Sequence, residues 1–442
     1  MVMQKINWKL LTLSASLAVT AIFQMGYTNA YPNTAISSFR RFMNESFPEK
    51  WKMSHEHFEW AWSAVLAMYF IGFASGSLFS ASIADRIGRR YSLLLGTTGS
   101  FISACVALLA VTINASGMFA LSRLIMSFSA AISMNSLILL FQESSPSHMR
   151  GLISFNAEMA FVLTNLVGGL FGMQSVFGSS LTGLISISLL PSIASIALVV
   201  YIQESPKFLF LKKNDIEEAS RSLRFYQGVW EDDEKAAVFD EYKLEKEETG
   251  GRKPGSIFDI WNDQPTRRGF LLGFATMQLT ISIWPILFYS TDFLMDVGFT
   301  SELSENVSTT MLFVSTISTV IGMLIVEQIP RKWLLIGTAS VNVSALLGYA
   351  LCAIFSKSYE GVGYGCVACL ILHGISYSIA LGPIAWFITS ELVPISCRAA
   401  AQSLVLFANH FVAMVITFFT FPFYKTIGEK DLKQRMQKRV LK

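Results

Sequence analysis

Eleven stretches of this 442-residue chain stay apolar for about twenty residues each, at 9–30, 58–82, 91–113, 117–140, 152–175, 181–202, 269–291, 307–328, 332–355, 362–389 and 399–424. A bilayer core of about 30 Å is crossed by about 20 helical residues rising 1.5 Å each. Backbone N–H and C=O groups find no water there, so a crossing segment must close its own hydrogen bonds as a helix. Only 15% of the residues are charged and 52% are hydrophobic, whereas soluble domains carry roughly a quarter charged residues. These observations predict an all-α, multi-pass membrane protein whose bulk solvent is the lipid bilayer. The first run follows Lys5 and Lys9, as a secretory leader would, but at about 18 to 20 residues it exceeds the leader core of about 7 to 15. It reads as the first membrane helix.

Charge placement orients the spans. With the N-terminus in the cytoplasm, one face collects Lys5, Lys9, Arg86, Arg89, Arg90, Arg150, twelve basic residues in the 203–268 loop, Arg331, Lys332 and Arg398. The other face holds Arg40, Arg41, Lys50, Lys52 and Lys357. A cytoplasmic excess of Lys and Arg is the rule that sets such topologies. The net charge of +3 carries no signal for nucleic acid. The outer loop contains Asn44-Glu45-Ser46, a sequon placed for N-glycosylation. Asn342-Val343-Ser344 falls inside a span and is expected to stay bare.

The polar loop divides the chain. The expected organisation is a six-helix bundle over 1–203, a cytoplasmic loop with short amphipathic helices over 204–268, five spans over 269–424, and a basic tail over 425–442. Within the loop, the stretch from Asp215 to Arg224 predicts one such helix, and the run from Glu231 to Glu234 reads as solvated surface.

One pattern occurs twice. Glu143-x-x-Pro146-x-x-x-Arg150 follows the fourth span, and Glu391-x-x-Pro394-x-x-x-Arg398 follows the tenth, 248 residues on. A weaker pair sets Asp85, Gly88, Arg89 and Arg90 against Glu327, Pro330, Arg331 and Lys332 at an offset of 242. Two patterns at nearly one offset imply two related halves, the parallel-repeat architecture of major facilitator transporters. Charges at span mouths are costly unless paired. Pairs between helix ends can hold halves together in one state and part in another, or can simply fix topology and loops.

At these residues the chain resembles the sugar porter family of the major facilitator superfamily, and within it the animal facilitative hexose transporters. Gln24-Met25-Gly26-Tyr27 is similar to that family's Q-F-G-Y, and Asp85 to Arg90 matches D-R-x-G-R-R. Arg123, Glu143, Pro146, Arg150 and Gly151 match the fourth-span pattern. Glu204-Ser205-Pro206 matches the family's E-S-P, with Gln203 in place of its leading Pro. Gly382 to Glu391 matches G-P-x-P-W-F-x-x-x-E. The resemblance implies alternating access of two bundles around a midplane site, passive hexose movement, a plasma-membrane location, and a gate network of Asp85, Arg89, Arg90, Glu143, Arg150, Glu204, Glu327, Arg331, Glu391 and Arg398. No cofactor or metal is implied, and the oligomeric state stays open.

A hexose is a ring of hydroxyls, so its site needs amides, hydroxyls and an aromatic face. The resemblance places substrate contacts at Glu158, Gln278, Ser282, Ser315, Trp386, Asn409 and His410. Several depart from the family. Its fifth-span Gln falls on Glu158, its eighth-span Asn on Ser315, and an eleventh-span Trp on His410, while Ser378 replaces a Glu and Ser127 and Ala131 replace glycines. These changes leave a different hexose, a polyol or another organic solute open. Glu158 lies roughly 10 Å inside the cytoplasmic face at 1.5 Å per residue. An ionisable group there is a functional hypothesis by default: it could contact substrate, bind a cation, take up a proton or pair with a neighbouring helix. The first span has no acidic residue, unlike proton-coupled members of the family, which favours a facilitator.

An enzyme is not expected. The histidines (55, 57, 148, 373 and 410) are dispersed, and Cys366-x-x-Cys369 lies in an apolar span without the surroundings of a metal or redox site. A nutrient-sensing relative that does not transport remains an alternative. The family has twelve spans, and here the residues from Lys425 on, with seven basic against two acidic ones, stand where the last would be. They are expected to mark a truncated splice form, a faulty gene model or an eleven-span protein.

Overall fold

The computed structural model describes residues 7–46, 55–146, 149–229, 231–250, 257–326, 328–356, 359, 361–394 and 397–440. All eleven expected spans are helices: Trp8–Thr34, Phe58–Ile87, Arg89–Thr112, Ser116–Ser144, Arg150–Gly172, Leu181–Tyr201, Gln264–Val297, Ser301–Ile325, Arg331–Ser356, Gly363–Trp386 and Ala400–Thr426. Several extend past the apolar run that predicts them, because a helix continues into the polar boundary where its ends can be capped. Asn7 caps the first, its side chain accepting the Leu10 N–H at 3.1 Å. The eleventh span lies in a helix that runs from Arg398 to Val440.

The first six spans pack together, the first against the fifth and sixth, and the fourth against the second and third. The last five form a second bundle, and the bundles meet where the second span touches the eleventh and the fifth touches the eighth. Small residues set the closest approaches. A Cβ on Gly72 would fall 2.0 Å from Ser127 Oγ, and one on Gly76 would fall 3.0 Å from the Ala131 Cβ. The serine and alanine that replace the family's glycines therefore still admit the second span. Polar stitches join the first span to the sixth: Gln24 Nε2 donates to the Ser188 carbonyl and Ser192 Oγ, each at 2.8 Å, and Tyr27 donates to the Leu184 carbonyl at 2.7 Å.

Two spans of the second bundle are broken at mid-depth. The seventh tightens to a 3-10 turn over Leu279–Ser282, just ahead of Pro285. The tenth widens to a π turn over Tyr377–Leu381, just ahead of Gly382 and Pro383. Proline has no N–H for the preceding turn and crowds its carbonyl. Irregular backbone inside a membrane is tolerated where protein or a cavity covers it. In the loop, the expected helix spans Ile216–Gln227, capped by Asp215 onto the Glu218 N–H at 2.9 Å. Asp232, Asp233 and Glu234 are exposed as expected, and they open a further helix.

Candidate functional site

The breaks in spans seven and ten gather most of the predicted contacts. Asn409 Nδ2 donates to the Met277 carbonyl at 2.8 Å, with Thr280 Oγ1 at 3.4 Å, which locks the eleventh span to the 3-10 turn. Gln278, beside this lock, directs its Nε2 at the Phe274 carbonyl at 3.4 Å, and its buried Oε1 has no partner. The His410 ring stacks on Phe73 of the first bundle, centroids 4.6 Å apart, and meets Trp386 edge-on at 6.3 Å. His410 Nδ1 lies 2.8 Å from the Leu406 carbonyl. A carbonyl only accepts, so Nδ1 carries the proton, and the buried, unpartnered Nε2 is an acceptor.

Ser282 turns instead into the second bundle, 3.2 Å from His373 Nε2 and 3.4 Å from Asn342 Oδ1. Asn342 in turn donates to the His373 carbonyl and to Ser376 Oγ. Its burial agrees with a sequon that stays bare. Ser315 faces Gly374 of the tenth span. Glu158 stands apart from this group. It is half-buried, and Tyr377 from the other bundle lies within electrostatic range. Among the described residues it makes no ion pair.

The charge motifs assemble one bundle at a time. Arg89 bonds Glu143 at 2.8 Å and Asp85 at 3.2 Å. The Glu204 carboxylate sits on the start of the third span, accepting the backbone N–H groups of Arg89, Arg90 and Ser205 at 2.8–3.1 Å. This is an anion at a helix N-terminus. Burial pushes its carboxyl up, and those N–H groups offset only part of the rise. Arg90 reaches the end of the sixth span, donating to the Val199 carbonyl at 3.0 Å and the Val200 carbonyl at 2.5 Å. In the second bundle Arg331 pairs with Glu391, and Arg398 donates to the Val393 carbonyl at 3.2 Å. Arg150 opens the fifth span, and Glu327 lies outside the described residues. Among the described residues no ion pair on this face joins the two bundles. The pairs of Arg89 with Glu143 and Asp85, and of Arg331 with Glu391, each close within one bundle.

The ties between bundles lie at the opposite face, in residues the motifs did not single out. Arg40 pairs with Asp292 at 2.6 Å. Asn33 donates to Ser290 Oγ at 2.8 Å and accepts the Thr291 N–H at 3.0 Å. Glu305 accepts the Gln174 N–H at 2.9 Å. Tyr289 donates to Ser63 Oγ at 3.2 Å. The signal was present: Asp292 is an acidic residue at the end of an apolar run, which asks for a partner. Just beneath, Arg123 is 2% exposed and donates to the Thr28 carbonyl at 2.9 Å. Its guanidinium stands 5.9 Å from the centre of the Phe288 ring, within electrostatic range of Tyr31, Tyr69 and Tyr289. Among the described residues it has no carboxylate partner.

A family model described as "Sugar (and other) transporter" matches residues 14–433. The mouse protein "Solute carrier family 2, facilitated glucose transporter member 3" is 24% identical over 404 residues, covering 88% of this chain and 80% of that protein. The xylose transporter XylE from E. coli, in a partially occluded inward open conformation, superposes with a TM-score of 0.73 at 16% identity, covering 95% of each chain. The proton:xylose symporter XylE bound to 6-bromo-6-deoxy-D-glucose superposes with a TM-score of 0.74 at 18% identity, covering 95% of this chain and 90% of that one. The two superpositions give the fold, a major facilitator arrangement of two helical bundles.

Proposed function

The chain belongs to the sugar (and other) transporter family, and from that premise we propose that it moves a hexose across the plasma membrane by alternating access and facilitated diffusion. The observation that carries this reading is the one-sided closure. Arg40, Asn33 and Gln174 are tied to Asp292, Ser290 and Glu305 at one face, while among the described residues no ion pair at the other face joins the bundles. A carrier that opens to each side in turn needs contacts that close one mouth without closing the other. With the N-terminus in the cytoplasm, the tied face is the outer one. Trp386 and His410 offer aromatic surface, and Gln278 and His410 offer acceptors, as a ring of hydroxyls requires. The first span has no acidic residue, and among the described residues Arg123 has no carboxylate partner, which together support movement down a gradient without proton coupling.

The test is uptake of radiolabelled D-glucose into proteoliposomes that hold the purified chain. The expected result is saturable uptake, accelerated by unlabelled hexose inside and indifferent to an imposed proton gradient. Failure to carry any hexose, with the protein folded, overturns the reading in favour of a sensor.

A further inference from the structure

We propose that the preferred solute is a hexose bearing a protonated amine, and that Glu158 selects it. This rests on the sugar-carrier reading above and narrows its substrate class.

Glu158 is a half-buried carboxylate in the fifth span, within electrostatic range of Tyr377 of the opposite bundle. It has neither an ion pair nor a hydrogen bond among the described residues. Among the described residues Arg123 is the only Lys or Arg of a span that lies away from the span ends. It is spent on the Thr28 carbonyl and an aromatic wall near the tied face. An ionised carboxylate taken from water without a partner is costly. Among the described residues no cation pairs with Glu158, which leaves a proton or a cationic cargo to neutralise it, and of the two only the cargo can also fill the empty acceptors in the chain's other bundle.

Two of the predicted contacts in the second bundle share this need for a donor. Gln278 Oε1 and His410 Nε2 are buried and unpartnered, and both are acceptors. A carboxylate, an amide oxygen and an imidazole nitrogen all wait for donors, and none donates. A neutral hexose can offer hydroxyl protons, but it leaves the carboxylate without countercharge. An ammonium brings a positive charge and donors together, and charge-assisted hydrogen bonds are about twice as strong as neutral ones.

The experiment compares D-glucosamine, D-glucose and N-acetyl-D-glucosamine in proteoliposomes of the full chain and of Glu158→Gln and Glu158→Asp. N-acetylation removes the charge at the same ring position, so the unmodified protein alone already tests the claim. The expected half-saturation for glucosamine is about tenfold or more below those of the neutral sugars, in line with the strength of charge-assisted pairing. Glu158→Asp keeps the preference. Glu158→Gln abolishes it, the half-saturation for glucosamine rising to that of the neutral sugars. Equal half-saturation for amine and neutral sugars in the unmodified protein overturns the inference and leaves sugar transport standing. No uptake of any of the sugars overturns both.

Discussion

Arg40 and Asp292 meet at 2.6 Å across the boundary between the bundles, and the Asp292 side chain is 2% exposed while that of Arg40 is 35% exposed. A hydrogen bond to a charged group contributes about 1.5–3 kcal/mol. Its loss should therefore shift the balance between closed and open outer faces by about ten- to a hundredfold. Spin labels at the exposed positions Ser37 and Glu302, one on each bundle, report the width of that face. Asp292→Asn or Arg40→Ala should add a population at longer distance. The double exchange Arg40→Asp with Asp292→Arg should restore the short one. An unchanged distance distribution in both single variants would remove this pair from the gate.

Gly88 has φ of +101°, and a Cβ there would lie 2.3 Å from Glu204 Oε2. Gly88→Ala meets both the unfavourable backbone region, costing about 1–2 kcal/mol, and the carboxylate that sits on the third span. Thermal unfolding in detergent should move down by several degrees, and Glu204→Gln should move it in the same direction. Gly88→Ala with an unaltered melting curve would mean that the Glu204 seat does not hold the loop to the bundle.

His410 combines two separable properties, a ring stacked on Phe73 and a bare acceptor at Nε2. His410→Phe keeps the ring and removes the acceptor, and a neutral hydrogen bond contributes about 0.5–1.5 kcal/mol. The half-saturation for sugar should rise about 2- to 13-fold, with the melting temperature little changed. His410→Ala should lower the melting temperature as well. Equal transport constants for His410→Phe and the unmodified protein would take the imidazole out of the site.

Asn44 is exposed near the end of the helix Ile36–Glu45, and glycosylation there also reports which face is outside. Expression in animal cells should give a glycosidase-sensitive band that Asn44→Gln eliminates and Asn342→Gln does not. A glycan that survives Asn44→Gln would contradict this placement.

Much of this architecture was legible from spacing alone. The period of the apolar runs fixes the spans, and the repeated Glu-x-x-Pro-x-x-x-Arg fixes the relation between halves, because both depend on local chain order. The charge cluster implied by the resemblance does come together at Asp85, Arg89, Arg90, Glu143 and Glu204. Their partners were not legible, since a motif states that a charge must be paired without stating with whom. Ser282 shows the limit for the candidate site. Its neighbours His373 and Asn342 lie 91 and 60 residues away in the chain, and only the packing of spans seven, nine and ten turns it toward them. Arg40 and Asp292, 252 residues apart, belong to no motif and were found only when the bundles were placed against each other.

The polar ties between bundles lie at the ends of spans one and seven, at the start of span two, and at the facing ends of spans five and eight, away from Gln278 and Tyr377 at the broken turns. Substitutions at the rim can therefore change how long the carrier waits in each orientation while leaving its choice of cargo intact. Speed and selectivity can then diverge independently in descendants of this chain, each through its own small group of side chains.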